Sequence, residues 1–255
     1  MKIMKYMLPA LLCCSMHIQG VQAADNGPVW SWETQFRSEY LGKIGVVFYD
    51  KPIMVNDISL FYKDFYVGMW NSTALGGEPY GSTFGDEFDL YAGWGHTYGW
   101  VHLQFSAAYF AIKDLNNLRD DLWIFEPEIS FPKVPFVQPY VAVRSFNPIT
   151  SESPERGWFV WTGLRRDQQL GFNIGSEPAK LSIEWMNAYS DGALHRDPGW
   201  VFTRFSAAFK IPVNKHLMIT PGILYQLPIG GQENHPRPYT TENEVVGQVS
   251  LRWTF

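Results

Sequence analysis

Beyond residue 23 the chain contains no cysteine, because its two, Cys13 and Cys14, both lie before that point. Disulfides, thiolate metal sites and cysteine nucleophiles are therefore closed to the rest of the chain. Charged residues make up 18%, below the roughly 25% of an ordinary soluble domain. No later apolar run approaches the ~20 residues of a spanning helix, and mean hydropathy is −0.16. A helical membrane protein is excluded on those grounds. No segment shows a convincing helical period, and there is no low-complexity tract or linker, so one domain is expected over residues 24–255. A Gly-rich phosphate loop and a His-x-x-x-His pair are also missing, so no cofactor and no metal is implied.

Aromatic residues, in contrast, are abundant at 16%, and they fall on a period of two. Trp30, Trp32, Thr34, Phe36, Ser38 and Tyr40 alternate with Ser31, Glu33, Gln35, Arg37 and Glu39. The same alternation runs through 87–94, 101–109, 180–189 and 203–211. Side chains point alternately to the two faces of a strand, so each stretch has one apolar and one polar face. The segment Thr241–Phe255 repeats the pattern: Val245, Gly247, Val249, Leu251, Trp253 and Phe255 share a face, Glu244, Gln248, Ser250, Arg252 and Thr254 the other, and only Val246 is out of place.

Residues 1–23 read as a cleaved signal peptide: Lys2 and Lys5, an apolar run, and Val21-Gln-Ala23 as the cleavage site. Export is thus expected. Lys2 and Lys5 leave with the leader, and the 18 remaining basic side chains face 25 acidic ones for a net charge of −7, which argues against a nucleic-acid partner.

Connections alternate in length. Lys63-Asp64, Gly95–Tyr98, Pro132–Pro135, Ser176–Pro178 and Val213–Lys215 read as tight turns. Longer polar or Gly/Pro-rich stretches lie between them: Gly42–Lys51, Ala74–Gly85, Asp114–Asp121, Asn147–Arg156, Asp191–Asp197 and Gly230–Thr241. Short turns at one end and long loops at the other describe a transmembrane antiparallel β-barrel with an apolar outside and a polar lumen. Six loops and five turns give about 12 strands; a turn at Arg166-Asp167 would make about 14. Pro127, Pro139 and Pro221 fall inside strands and read as bulges or bends. Aromatic residues near strand ends, Trp70 and Trp161 among them, read as interfacial girdles.

The final strand, ending on Phe255 with Trp253 two positions earlier, resembles the C-terminal signature of Gram-negative outer-membrane barrels. That resemblance implies the barrel-assembly machinery as a partner, outer-membrane lipid as the surroundings and the outer membrane as the location. Ser38-Glu-Tyr-Leu-Gly42, Lys51-Pro52, Asp57-Ile-Ser-Leu60, Phe65-Tyr-Val-Gly-Met-Trp70, Ser72 and Asp86-Glu-Phe-Asp-Leu-Tyr-Ala-Gly-Trp94 follow in an order similar to the TorF-type porin family. The resemblance covers roughly residues 36–95, with Leu41 where that family often has Arg. Glu126–Ser130 and Gly157–Trp161 look faintly like nucleoside-specific channels.

The polar faces supply the candidate pore-lining residues: Arg37, Arg144, Arg204 and Arg252 among the cations, Asp89, Glu126, Glu128 and Glu184 among the anions. Opposed rows of charge would bias the passage of small hydrophilic solutes. The same groups could instead pair and fill the interior, leaving a closed barrel with a structural or surface-binding role. Glu126 and Glu128 have the spacing of a carboxylate pair, ~6.6 Å along a strand, but no sugar-shaped cleft surrounds them in the sequence. An outer-membrane lipid hydrolase needs a Ser-His couple. His102 and Ser106 lie ~13 Å apart along a strand, and Ser190, Asp191 and His195 lack a hydrolase motif. The reading is therefore a non-enzymatic channel. Deletion of Phe255 is expected to impair assembly, seen as a lower yield of heat-modifiable barrel in outer-membrane fractions.

Overall fold

The computed structural model describes residues 27–76, 87–111, 121–149, 156–174, 177–193, 196–231 and 241–255; the expected leader lies outside them. The strands are β1 (Val29–Arg37), β2 (Tyr40–Leu41), β3 (Val47–Tyr49), β4 (Ile53–Tyr62), β5 (Phe65–Ala74), β6 (Glu87–Tyr98), β7 (Val101–Ala111), β8 (Leu122–Ser130), β9 (Gln138–Pro148), β10 (Gly157–Ile174), β11 (Glu177–Ser190), β12 (Gly199–Pro212), β13 (Leu217–Pro228) and β14 (Glu244–Thr254). Twelve of them, all but β2 and β3, form one closed antiparallel barrel. The seam is β1 against β14, from Ser31↔Thr254 to Arg37↔Gln248. Closure pairs the first strand with the last and removes both open edges.

The alternative of 14 strands fails at β10. Arg166↔Ile183 and Asp167↔Ser182 are paired in mid-ladder with β11, so no turn interrupts that strand. It is long because the β10–β11 hairpin outruns β9, whose ladder with β10 ends at Gln138↔Arg165. The turn expected at Gly95–Tyr98 lies further on, at Gly99-Trp100, where Gly99 takes a φ of 60°. The three prolines are not bulges. Phe105↔Pro127, Leu164↔Pro139 and Pro221↔Val249 keep register on both sides; a proline removes one ladder donor, and flanking pairs hold the register. The register shifts occur instead between Gln169 and Asn173 and between Ala188 and Tyr189.

The alternation sorts the faces as the sequence predicts. Trp30, Phe65, Leu90, Phe105, Ile183, Phe205, Ile223, Val245 and Val249 are exposed on the outside. Outward rings gather at both ends. Tyr109–Trp123 (5.4 Å), Trp158–Tyr189 (5.9 Å) and Tyr189–Trp200 (5.7 Å) lie at the long-loop end, Trp32–Trp253 (5.3 Å) and Trp94–His96 (6.2 Å) at the short-turn end. Trp70 and Trp161 do not belong to these girdles. Their register positions turn them inward, and they are 2% and 0% exposed.

Three tyrosines line the inner wall against glycine. Tyr66 pairs with Gly93, Tyr91 with Gly68, and Tyr140 with Gly163. A Cβ on any of these glycines would overlap the partner ring. The missing side chain lets each ring cover the bare backbone, as an aromatic covers a strand glycine. Gly93→Val should therefore cost about 1–3 kcal/mol by overpacking, whereas Gly247→Ala, which meets nothing within 4 Å, should be near neutral. Urea titration of the protein folded in vesicles measures both.

Candidate functional site in the lumen

β1 ends at Arg37, and Ser38 and Tyr40 do not extend it as the alternation suggested. Past Ser38 the chain turns into the barrel, and the stretch expected as a loop over Gly42–Lys51 lies largely inside it. Tyr40, Leu41, Ile44, Val46, Phe48 and Tyr49 are buried. All of these except Leu41 pack in one core with Trp70, Phe110, Phe146, Phe159, Trp161 and Phe202 from the inner wall. The segment has its own fold: β2 pairs with β3, Gly42 N–H donates to Val46 O (2.8 Å) and Gly45 N–H to Gly42 O (3.0 Å). Gly45 has a φ of 86°, and a Cβ there would overlap the Phe202 ring, so glycine is required on both counts.

Polar contacts hold the segment to the wall. The Lys43 ammonium donates to Glu126 (2.7 Å) and sits 4.6 Å from the centre of the Trp161 ring. Arg144 pairs with the other oxygen of Glu126. Arg204 donates to Gly42 O (2.9 Å) and to Gln226 (2.6 Å), and Gln226 donates to Gly45 O (2.9 Å). Tyr40 donates to Glu87 (2.6 Å). Burial pushes the Lys43 ammonium below its ordinary pKa, and Glu126 pulls it partly back. At the entrance, burial and then Glu244, with Asp50 and Glu242, push the Glu39 carboxyl up to about 7.

Below this layer the lumen is lined by charge. Arg165 makes a fork to both oxygens of Glu128 (2.7 and 3.0 Å), donates to Glu184 (3.1 Å) and stacks 3.5 Å over the Tyr140 ring. Tyr140 donates to Glu184 (2.7 Å). Nearer the short-turn end Lys210 meets Asp167 (2.9 Å), and Arg252 donates to Glu33 (2.6 Å). Tyr91 donates to Asp57 (2.7 Å).

All eight candidate residues are on the inner face, but they do not form two facing rows. Glu126–Arg144 and Glu128–Arg165–Glu184 are local clusters on β8 to β11, Arg252 pairs across the seam, and Arg37 donates to Gln35 (2.6 Å). Asp89 is 1% exposed, and among the described residues neither of its oxygens has a hydrogen bond. Sequence reasoning missed Lys43 by placing it in an outer loop; the apolar Ile44 and Val46–Tyr49 beside it were the signal that the stretch is buried. It passed over Tyr140, Gln226 and Glu87, which periodicity could have found on inner faces. Val246, the exception to the alternation, is inward and buried among the described residues.

The enzymatic readings gain no geometry. His102 bonds Thr97 (2.9 Å), while Ser106 donates to the Glu126 carbonyl (3.4 Å). Glu126 and Glu128 are each engaged by their own cations. His195 lies outside the described residues. Among the described residues no group of three His, Cys, Asp or Glu side chains is arranged for a metal.

Glu126 is the anchor of two buried cations. Glu126→Gln should cost about 3–5 kcal/mol, because it leaves buried charge without a counter-charge. Lys43→Met, which keeps the Glu126–Arg144 pair and the stem's packing, should cost clearly less. Urea midpoints in vesicles distinguish the two.

No protein-family model matches the sequence, and no curated protein does; the TorF-type likeness remains one of short motifs. Solved structures do match. A KdgM porin aligns over 89% of this chain and 99% of its own, with 6% identity and a TM-score of 0.53. A NanC porin aligns over 88% and 98%, with 6% identity and a TM-score of 0.51. The COG4313 outer membrane channel from Pseudomonas putida F1 aligns over 92% and 97%, with 11% identity and a TM-score of 0.52. At these identities the likeness is one of fold: this chain has the closed barrel fold that these porins and this channel share.

Proposed function

We propose that the protein is an outer-membrane channel for the passive diffusion of small hydrophilic solutes. The observation that carries this reading is the division of the wall: an apolar outside between two aromatic girdles, and an inside of stacked ionic clusters. An apolar belt of this kind suits lipid, and charge on the inner wall suits water. The partly exposed pairs Lys210–Asp167 and Arg252–Glu33 line the wetter half. The porins and the channel of the same fold support this assignment without naming a solute. Cations and anions are interleaved, so solutes carrying both polarities, or neither net charge, suit the lumen better than strongly charged ones.

The in-folded segment favours a second reading, a closed barrel with a structural or surface-binding role. The two separate in a planar bilayer. The parent should conduct, and a variant with residues 40–50 replaced by a Gly-Ser linker should conduct more. Glu128→Gln with Glu184→Gln leaves Arg165 in excess and should shift the reversal potential toward anions, most at low salt where screening is weak. Silence from both the parent and the trimmed variant, each well folded, would leave the closed barrel.

A further inference from the structure

We propose that residues 39–51 form a pH-driven gate, seated in the lumen at acidic pH and lifted out at alkaline pH. Its consequence for permeation rests on the channel reading, but the movement itself does not.

The segment has fixed ends and a preformed middle. Ser38 is clamped to β14: its N–H donates to Gly247 O (2.9 Å), and Gly247 N–H donates to its hydroxyl (3.1 Å). Pro52 is held by Leu75 N–H (2.9 Å). Between these anchors the β2–β3 ribbon carries its own hydrogen bonds, so it can move as a unit without unfolding. Burial of its apolar side chains opposes the entropy lost in ordering the segment, two contributions of similar order. The seated state also leaves polar groups unserved. Among the described residues, both oxygens of Asp89, Nη1 of Arg144 and Nε1 of Trp161 are buried without a hydrogen bond. Lifting the segment would hydrate the groups beneath it.

The lever is at the entrance. Glu39, one residue past the Ser38 clamp, lies against Glu244 at the start of β14, with Glu242 before it and Asp50 from the end of the segment. These strongest electrostatic influences on it are all acidic. In the seated state its carboxyl is held protonated up to about pH 7; in water it would ionise at the ordinary value. The seated state thus binds the proton more tightly, so acid favours seating. That preference is complete below the ordinary carboxyl value and is lost as pH rises from there to about 7. Lys43 opposes this at higher pH, because its lowered pKa means that the seated state holds its proton less tightly than water does; the lift therefore rests on Glu39 and the carboxylates around it.

A single thiol reports the movement against an otherwise cysteine-free mature chain. Ile44→Cys, at a site 0% exposed in the seated state, should react with a charged thiol reagent about ten-fold faster at pH 8.5 than at pH 5.5, after normalisation to the exposed Lys215→Cys for thiolate content. Glu39→Gln should remove most of that pH dependence. If Ile44→Cys fails to fold, Val46→Cys, 1% exposed, serves in its place. Equal normalised rates at the two pH values, or a Glu39→Gln variant with the parent's profile, would overturn the gate. Conductance recorded on the same preparations tests the channel separately. Labelling that rises with pH in a silent barrel would sustain the movement and refute the channel.

Discussion

The antiparallel seam between β1 and β14 is the contact on which everything else depends. An open sheet of twelve strands would present two unpaired edges, and in lipid their backbone groups would find no partner. Joining Ser31–Arg37 to Gln248–Thr254 removes both at once. It also sets the fate of every side chain, since after closure one face of each strand looks outward and the other into a confined interior. The Glu33–Arg252 pair straddles that seam on the inside, and Trp32 and Trp253 meet across it on the outside.

An interior of this width must be filled or wet. This protein does both, at different heights. At the long-loop end the first in-folded segment brings Tyr40, Ile44, Val46 and Phe48 into a core with Phe146, Trp161 and Phe202. On the inner wall, tyrosine rings cover the glycines opposite them, and charge lines what remains. The Lys43–Glu126–Arg144 cluster joins the two zones. It is the place where apolar packing above meets ionic lining below, and removing its single carboxylate would leave two buried cations together.

The arrangement of charge bears on how solutes would be treated. Lysines, arginines and carboxylates engaged in local clusters do not make the uniform field that two facing rows would. The Lys43–Glu126–Arg144 cluster carries one cation in excess and Glu128–Arg165–Glu184 one carboxylate, so a solute in the lumen would meet alternating polarity at short range. Selectivity in such a lumen depends on which member of a cluster can be drawn away from its partner.

The sequence by itself determined the barrel. Period-two alternation, alternating lengths of connection and the lack of any other source of stability left little else, and the same alternation assigned all eight charged candidates to the inner face. Those features are local, and a strand's two faces are settled by neighbouring residues alone. Only the tertiary structure decided where residues 39–51 go: the apolar run Val46-Val-Phe-Tyr49 calls for burial, but Gly42, Gly45 and the charged Lys43, Asp50 and Lys51 around it read as a loop, and its burial depends on a cavity that exists only once twelve strands have closed. For the same reason Trp70 and Trp161 could not be told from girdle residues: an aromatic ring is as much at home in an interior filled by a segment as at an interface. Which cation meets which carboxylate was likewise undecided, since the partners of Glu126 come from a turn at Lys43 and from the next strand at Arg144, and inter-strand register is set by closure rather than by any one strand's sequence.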